Sequence, residues 1–370
     1  MLQLKIKIAH MDFNLFKPKG KLGVDIGTAS IKIAELEKKT TRFVLSNYGL
    51  FELKEMKSAG KEGTTPFLGQ SILKLPDDEI VWGIKEVIKR ANMKSRDVIA
   101  SIPSFSTFST IIEMPYISEQ DLSKVMPFEA KKHIPIPLDE VVLDWSIVGT
   151  SNQGEKKTPL VNVEIFLAAV PKSETQRYKN IITSAGLNLI ALELENSALI
   201  RALLGNDLSP TALVNIGGRS TSIVIVDKGY ERVAHNYEIG GFEITKSIAR
   251  SLNIGLERAE ELKKKLGLKE TEENIINEAM VSLMDMMVFE TKKTITNYET
   301  AKNTKISRIL LVGGLTNMPN FLNYFKSKLG REVFIGNALS RLIYSENLNP
   351  IIKDVASTFA ISVGLAMRDK

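Results

Sequence analysis

Apolar positions recur along this chain with two periods, and each period predicts a different kind of element. Short apolar or alternating runs at residues 22–25, 31–37 and 43–53 are typical of strands. Between residues 77 and 93 the apolar positions instead follow helical spacing, and an aspartate can cap the first turn. Strand and helix patterns alternate in this way to the end of the chain, which predicts an α/β fold.

The later segments follow the same two patterns. Further strands are predicted at residues 98–103, 107–114, 141–148, 161–170, 187–194, 212–214, 222–226 and 307–313. Further helices are predicted at residues 118–133, 173–185, 197–204, 242–252, 256–266, 274–300 and 354–367. Ser118 can cap the first of these helices, and the IPIP sequence after His133 ends it, because proline disfavours helical backbone in the residue before it. The polar residues 60–70 predict a loop.

Length and composition narrow the classes of protein. A chain of 370 residues is too long for one ordinary core, which predicts two domains or one bilobal fold. The absence of cysteine excludes disulfides, thiolate metal sites and cysteine nucleophiles, and the three histidines lack the spacing of a metal site. The net charge of +6 comes from interleaved acids and bases, which argues against nucleic-acid binding.

The hydropathy pattern also bears on the compartment. No apolar run approaches the roughly 18 to 20 residues that span a bilayer. The basic, partly apolar segment 1–21 has no small-residue cleavage site, so a signal peptide is not expected. We therefore expect a cytoplasmic protein that reaches a membrane only through its partners.

Three glycine-containing turns carry the candidate chemistry. The first joins the two earliest strands, where small residues let the backbone approach a ligand and successive N–H groups can cradle phosphate. Lys32 would add positive charge, and Asp25 would orient magnesium-bound water. The residues predicted to act here are Asp25, Gly27, Thr28, Ala29, Ser30 and Lys32. By itself, the turn is equally well explained as a tight hairpin with a buried acid.

Two later turns have related forms. Residues 215–221 (NIGGRST) lie between apolar strands, and considered alone they are better explained as an ordinary glycine hairpin. Residues 309–319 (ILLVGGLTNMP) run from a buried strand into a glycine pair, where a flat base could lie against the backbone. A plain strand-to-helix turn would have the same form.

Taken together, in this order and spacing, the three turns resemble the phosphate-1, phosphate-2 and adenosine motifs of the actin-like ATPase superfamily. That resemblance implies two lobes with a nucleotide in the cleft between them. A finer resemblance, to the PilM family of type IV pilus assembly proteins, covers residues from about 11 to 368. It is carried by ISEQDLSKVMPFEAKKHIPIPLDEVVLDW (117–145), by residues 170–203 and by EIGGFEITKSIA (238–249). It implies a bilobal actin-like fold with an FtsA-like subdomain inserted into the first lobe.

The superfamily resemblance also implies a role for each motif position in binding ATP and Mg²⁺. Glu195 falls where relatives carry the acid that polarises the attacking water. The remaining contacts that it implies are Asn215, Gly217, Gly218, Ser220 and Thr221 at the phosphates, Gly240 and Gly241 near the ribose, Glu260, Lys263 and Lys264 at the nucleoside, and Gly313, Gly314 and Met318 at the adenine.

Asn215 departs from the superfamily pattern, which has aspartate at this position. Asparagine can hydrogen-bond a water but adds no negative charge for magnesium, so we expect ATP binding to survive and hydrolysis to be slow or absent. Other roles stay open for three of the implied residues. Glu195 could be a helix-capping or surface acid, and Lys263 and Lys264 could lie on a solvated helix face.

The PilM resemblance also implies domains and partners. The expected parts are an N-terminal segment (1–21), a first lobe (22–210) with its insertion (about 106–190), a second lobe (211–341), and a C-terminal segment returning to the first lobe (342–370). The insertion and the adjoining lobe would receive the N-terminal cytoplasmic peptide of the membrane protein PilN. Other pilus assembly proteins, motor ATPases among them, are further expected partners, and homo-oligomerisation is left open.

Position alone suggests which residues contact the peptide. The candidates are Val125, Phe128, Glu129, Lys132, Ile134 and Ile136. An ordinary core position is the better explanation for any one of the apolar residues.

Three functions compete at this stage. They are an assembly platform peripheral to the inner membrane, an active FtsA- or MreB-like ATPase or filament-forming protein, and a sugar-kinase-like phosphotransferase. The second is weakened because the chain stops just after a helix that should belong to the fold, where FtsA relatives carry an amphipathic membrane helix. The third ranks last because no acidic base for a sugar hydroxyl stands out.

Overall fold

The computed structural model describes residues 20–52, 76–153, 160–269 and 275–369. The loop predicted at residues 60–70 and nearly all of the N-terminal segment lie outside these ranges. None of the helices within them combines the length and apolarity needed to cross a bilayer.

The first lobe is built on a six-stranded sheet. Its strands, numbered in chain order, are β1 Gly20–Ile26, β2 Ser30–Lys39, β3 Arg42–Glu52, β4 Asp97–Ile102, β8 Asn188–Leu194 and β14 Leu342–Ile343. They lie in the order β14-β3-β2-β1-β4-β8, with β1 antiparallel to β2 and parallel to β4. The strand pair β1–β2 therefore forms the first predicted hairpin.

The second lobe repeats this plan with a five-stranded sheet. Its strands are β9 Thr211–Ile216, β10 Thr221–Asp227, β11 Tyr230–Tyr237, β12 Arg308–Val312 and β13 Val333–Ile335. They lie in the order β11-β10-β9-β12-β13, again with an antiparallel meander flanked by a parallel strand. The two lobes thus share one architecture.

Ten helices connect the strands or cover the sheets of the described ranges. They are α1 Asp77–Arg90, α2 Glu119–His133, α3 Lys172–Ser184, α4 Glu195–Leu203, α5 Gly241–Leu252, α6 Leu256–Leu266, α7 Ile275–Lys302, α8 Phe321–Leu329, α9 Ile352–Thr358 and α10 Ala360–Ala366. Every residue of α10 is buried, and its core cluster contains residues of both sheets. Only a glycine fits at position 23, because a Cβ there would overlap the Ser362 carbonyl of α10. The C-terminal segment therefore packs closely on the first-lobe sheet.

A third unit is inserted between β4 and α3. Its antiparallel strands β5 Phe108–Pro115, β6 Val141–Gln153 and β7 Leu160–Pro171 lie in the order β5-β7-β6. Leu122, Met126 and Ala130, four residues apart on α2, pack with β7 into a core of this unit's own. The Ser118 side chain accepts a hydrogen bond from the Asp121 N–H, as the predicted cap requires.

The boundary predicted for this insertion, 106–190, is too long at its C-terminal end. β8 is a strand of the first-lobe sheet, where it pairs with β4, and α3 leads into it. The three-stranded unit therefore ends at Pro171.

Candidate functional site

The first two predicted turns are hairpins of the same form, and they touch each other. The Gly27 N–H donates to the Ser30 carbonyl (3.0 Å), and the Gly217 N–H donates to the Ser220 carbonyl (2.9 Å). A Cβ at Gly218 would overlap the Cβ of Ala29. Glycine at 218 and a small residue at 29 therefore let one turn from each lobe meet across the cleft.

A buried ion pair lies below the first turn. Asp25 on β1 and Lys32 on β2 are opposite each other in the hairpin, with Nζ 3.2 Å from Oδ2. The Asp25 side chain is 3 % exposed and that of Lys32 is 15 % exposed. The Ser101 hydroxyl lies 3.4 Å from the other carboxylate oxygen. An acid and a base thus sit together at the base of a backbone turn, the arrangement that the predicted phosphate site requires.

Glu195 is the first residue of α4 and points to the start of the insertion. Its Oε2 accepts hydrogen bonds from the Ser104 N–H (3.1 Å) and the Ser104 hydroxyl (2.9 Å). Burial, and then the nearby Asp25 carboxylate, raise the pKa of Glu195 to about 7. The carboxyl is thus held by Ser104, which lies outside α4. Near neutral pH it can both hold and release a proton, which is what a general base requires.

The helices α5 and α6 meet through a buried lysine. Lys263 Nζ donates to the Gly241 carbonyl (2.9 Å) and to the Thr245 hydroxyl (2.9 Å), and it pairs with Glu260 (2.6 Å). Burial lowers the pKa of Lys263. The alternative of a solvated helix face is therefore wrong for Lys263.

Lys264, the next residue of α6, is largely exposed. Its side chain is 60 % exposed and lies 3.3 Å from Glu52, at the end of β3 in the first lobe. The solvated-face interpretation thus fits Lys264, which also forms an ion pair between the lobes.

The third turn closes against the second. Gly313 has a φ of +98°, and a Cβ there would overlap the Ile216 carbonyl, so this position requires glycine. The Asn215 Oδ1 would lie 3.1 Å from that Cβ, which places the amide beside the third turn. A Cβ on Gly314 would meet nothing within 4 Å, so open space remains over this glycine.

Gly240 and Gly241 lie directly behind the second turn. The Gly241 N–H donates to the Gly217 carbonyl (3.0 Å), and a Cβ at Gly240 would come within 2.6 Å of the Gly218 carbonyl. These glycines let α5 begin in contact with the turn. The structure thus brings the predicted phosphate, ribose and nucleoside positions of the second lobe into one cluster.

Met318 is almost fully buried. Its side chain is 6 % exposed and belongs to the core of the second lobe. It directly follows the short helix after Gly313, and its predicted contact with adenine stays a prediction.

The described residues contain no cluster of three or more His, Cys, Asp or Glu side chains that could hold a metal by themselves. Mg²⁺ usually keeps several waters and is held through one or two carboxylates together with phosphate oxygens. Asp25 supplies one carboxylate beside the first turn, which fits that requirement. The donor set is therefore suited to a magnesium–nucleotide complex.

Comparison with known proteins identifies the family. The sequence model of the family described as type IV pilus assembly protein PilM matches residues 23–370. The chain belongs to this PilM family. The match includes both lobes, the inserted unit and all three turns.

Individual relatives agree with the fold. A solved structure, "PilM-PilN type IV pilus biogenesis complex", superposes with a TM-score of 0.77 at 20 % identity, over 95 % of this chain and 99 % of that chain. MreB 5 of Spiroplasma citri bound to AMPPNP has a TM-score of 0.50 at 14 % identity, over 94 % and 95 % of the two chains. Cell division protein FtsA of Bacillus subtilis is 28 % identical over 161 residues, which is 41 % of this chain and 36 % of that protein. The fold of this PilM family member is therefore the actin-like ATPase fold.

The residues proposed for a PilN peptide divide into two groups. Phe128 is 74 % exposed on α2, Val125 is half-buried, and Glu129 and Lys132 form an ion pair (2.7 Å) beside them. Ile134 is 6 % exposed within the core of the inserted unit. Ile134 is therefore not a surface contact, because its side chain packs in the core with buried residues of α2 and β7.

Ile136 belongs with Ile134. It is partly buried and packs against the same core of the inserted unit. Its predicted contact with a peptide is therefore weakened, although part of its surface remains accessible.

Sequence reasoning missed a set of polar residues that join the three units. Ser104 follows β4 and bonds Glu195, while Asn196 Nδ2 donates to Glu231 on β11 (2.9 Å). The adjacency of Asn196 to Glu195 is a weak signal that could have identified it. Glu231 is one polar residue within the alternating YERVAHNY strand and carries no signal of its own.

Proposed function

We propose that this chain binds ATP with Mg²⁺ in the cleft between its lobes and docks the N-terminal cytoplasmic tail of PilN. In this role it is a cytoplasmic part of the type IV pilus assembly platform, peripheral to the inner membrane. The observation that carries the nucleotide proposal is the contact between the two glycine turns above the Asp25–Lys32 pair. The solved PilM–PilN complex supports the peptide-binding role, and AMPPNP-bound MreB 5 supports the nucleotide-binding role.

Each wall of the cleft would contribute a different interaction. Backbone N–H groups of the two turns would receive the phosphates, and Lys32 would neutralise their charge. Asp25 would orient a water of a bound Mg²⁺, and the metal would supply positive charge at the phosphates. Gly314 would leave room for the base, and Glu260 would lie near the nucleoside.

Slow hydrolysis is the second part of the proposal. Asn215 adds no charge for the metal, so the site has one carboxylate fewer than an aspartate at this position would give. The nucleotide would then act chiefly as a structural or switching ligand. The alternative is an active FtsA- or MreB-like ATPase or filament-forming protein. Its ATPase activity is favoured by the position of Glu195, whose carboxyl is held by Ser104 and whose pKa burial raises to about 7.

Two measurements distinguish these functions. Calorimetry should detect MgATP binding to the full chain and, separately, binding of a synthetic N-terminal peptide of the cognate PilN. Phosphate release after addition of MgATP should remain near background. Sustained turnover would contradict the platform-only role, and turnover that depends on an added sugar would contradict both candidates. If the full chain binds MgATP but not the peptide, the PilN role alone is refuted.

A further inference from the structure

Two neighbouring residues of β11 connect the second lobe to the inserted unit. Glu231 accepts a hydrogen bond from the Ser109 hydroxyl on β5 (2.6 Å). Arg232 pairs with Glu164 on β7 (2.6 Å). The second contact joins opposite charges, whereas the first holds a carboxylate with a neutral donor. The Arg232 contact therefore depends on a charged side chain of the inserted unit, whereas the Glu231 contact depends on a hydroxyl there.

Glu231 is buried without a positive partner in the described chain. Its side chain receives one hydrogen bond from Ser109 and one from Asn196 Nδ2 (2.9 Å) on α4. The residue is 6 % exposed, and burial raises its pKa. A buried carboxylate that loses a hydrogen bond incurs much of its desolvation cost. Both donors must therefore stay in place, although one belongs to the inserted unit and the other to the first lobe.

The contacts of Asn196 lead directly into the cleft. The Ser104 hydroxyl lies 3.2 Å from Asn196 Oδ1 and 2.9 Å from Glu195 Oε2. Ser104 itself sits between β4 and β5, where the chain leaves the first lobe for the inserted unit. Because the hydroxyl can donate only one hydrogen, the Ser104 N–H (3.1 Å) can hold Glu195 while the hydroxyl donates to Asn196. A continuous set of hydrogen bonds thus links Glu195 to the buried carboxylate of the second lobe. It reaches the inserted unit at two points, Ser104 and Ser109.

We propose that Glu231 is a positioning residue that couples the nucleotide cleft to the inserted unit. This inference rests on the proposed nucleotide site. A nucleotide held by turns from both lobes fixes β11 relative to α4, and Glu231 then holds β5 through the Ser109 hydroxyl. Nucleotide binding is thereby transmitted to the unit that the PilN proposal assigns to the partner. Such coupling is reciprocal: the nucleotide changes the affinity for the peptide by the same factor as the peptide changes the affinity for the nucleotide.

Hydrogen exchange on the full chain, with and without AMPPNP and Mg²⁺, tests this inference. In the unchanged protein we expect the nucleotide to slow exchange both at residues 25–32 and in β5. Glu231→Gln should keep the effect at 25–32 but reduce the effect in β5 by at least about fivefold, the lower end of ordinary couplings. Ser109→Ala removes a single hydroxyl, so it should act in the same direction and gives a result even where Glu231→Gln fails to fold.

Glu164→Gln is the matched control, because it breaks the neighbouring ion pair with Arg232 but leaves the hydrogen bonds of Glu231 intact. It should keep the nucleotide effect in β5. Absence of any effect at residues 25–32 in the unchanged protein would refute the proposed nucleotide site and this inference with it. The coupling alone would be refuted if the nucleotide slowed exchange at residues 25–32 but not in β5. It would also be refuted if the slowing in β5 persisted in both Glu231→Gln and Ser109→Ala.

Discussion

Lys32 lies at the base of the first turn, with Nζ 3.2 Å from Asp25 and a side chain that is 15 % exposed. We expect Lys32→Ala to weaken MgATP binding about tenfold to a hundredfold, because a hydrogen bond to a charged group contributes about 1.5–3 kcal/mol. Calorimetry measures this directly. Lys38→Ala, on the same strand but paired with Asp369 at the surface, is the matched control and should leave the affinity unchanged. Equal affinities for all three proteins would refute the role of Lys32.

The raised pKa of Glu195 leads to a second prediction, which concerns how the free energy of unfolding depends on pH. Its folded-state pKa of about 7 lies above the ordinary 4.5, so the folded protein binds this proton more tightly than the unfolded chain. The associated stability is fully present below about pH 4.5 and is lost as pH rises through 7. Glu195→Gln removes this loss. Between pH 5 and pH 8 the free energy of unfolding of the variant should therefore rise relative to the unchanged protein by about 2 kcal/mol.

Urea unfolding at the two pH values measures that difference. Glu193→Gln is unsuitable as a control because Glu193 pairs with the buried Arg201. Glu86→Gln, at an exposed helical pair with Arg90, is suitable and should show no pH-dependent change. A constant difference between Glu195→Gln and the unchanged protein would show that the carboxyl titrates normally.

At this scale the sequence predicts some site residues and not others, for a physical reason. Asp25 and Lys32 lie in one hairpin, so their spacing along the chain also sets their distance in space. Ser104 and Glu231 meet Glu195 and Asn196 only after distant segments fold together. Met318 lies in a local motif, but the motif does not reveal that its side chain is buried in the core of the second lobe.

The helix α2 and its C-cap residue provide a prediction at the scale of an element, because Ile134 is buried and Phe128 is exposed. Ile134 packs in the core of the inserted unit, so Ile134→Ala should lower the free energy of unfolding by about 2–4 kcal/mol. Phe128 is 74 % exposed, so Phe128→Ala should change it by less than about 0.5 kcal/mol while weakening binding of the PilN peptide. Denaturant unfolding and calorimetry measure the two effects. Unchanged peptide affinity in Phe128→Ala would exclude this face of α2 from the interface.

Elements with a strong period and clear end signals are predicted well. α2 begins at the Ser118 cap and ends before the IPIP sequence. The strands β13 and β14 have three and two residues, too few to display a period, and were not predicted. The insertion boundary was misplaced because a strand pattern indicates that β8 is a strand but not which sheet it joins.

At the scale of the whole molecule, the two lobes share one core. A single cluster contains Leu36 of the first sheet, Leu213 of the second and the buried helix α10. No local period in the sequence predicts this sharing, since it depends on the C-terminal segment returning between the sheets. Because the core is shared, unfolding of either lobe would disrupt the packing of the other. We therefore expect the described fold to unfold as one cooperative unit.

The two tryptophans make that cooperativity measurable, because Trp82 lies on α1 of the first lobe and Trp145 on β6 of the inserted unit. Their fluorescence should change at the same denaturant concentration as the far-ultraviolet circular dichroism, to which both lobes contribute. MgATP at 100 times its Kd should raise the free energy of unfolding by about 2.7 kcal/mol and move both signals together, since turns of both lobes would hold the nucleotide. At the same ATP concentration Lys32→Ala should keep only about 1.4 kcal/mol of that increase if its Kd rises tenfold, and about 0.4 kcal/mol if it rises a hundredfold. A shift in circular dichroism with no shift in fluorescence would mean that the nucleotide stabilises the second lobe alone, contrary to a site shared between the lobes.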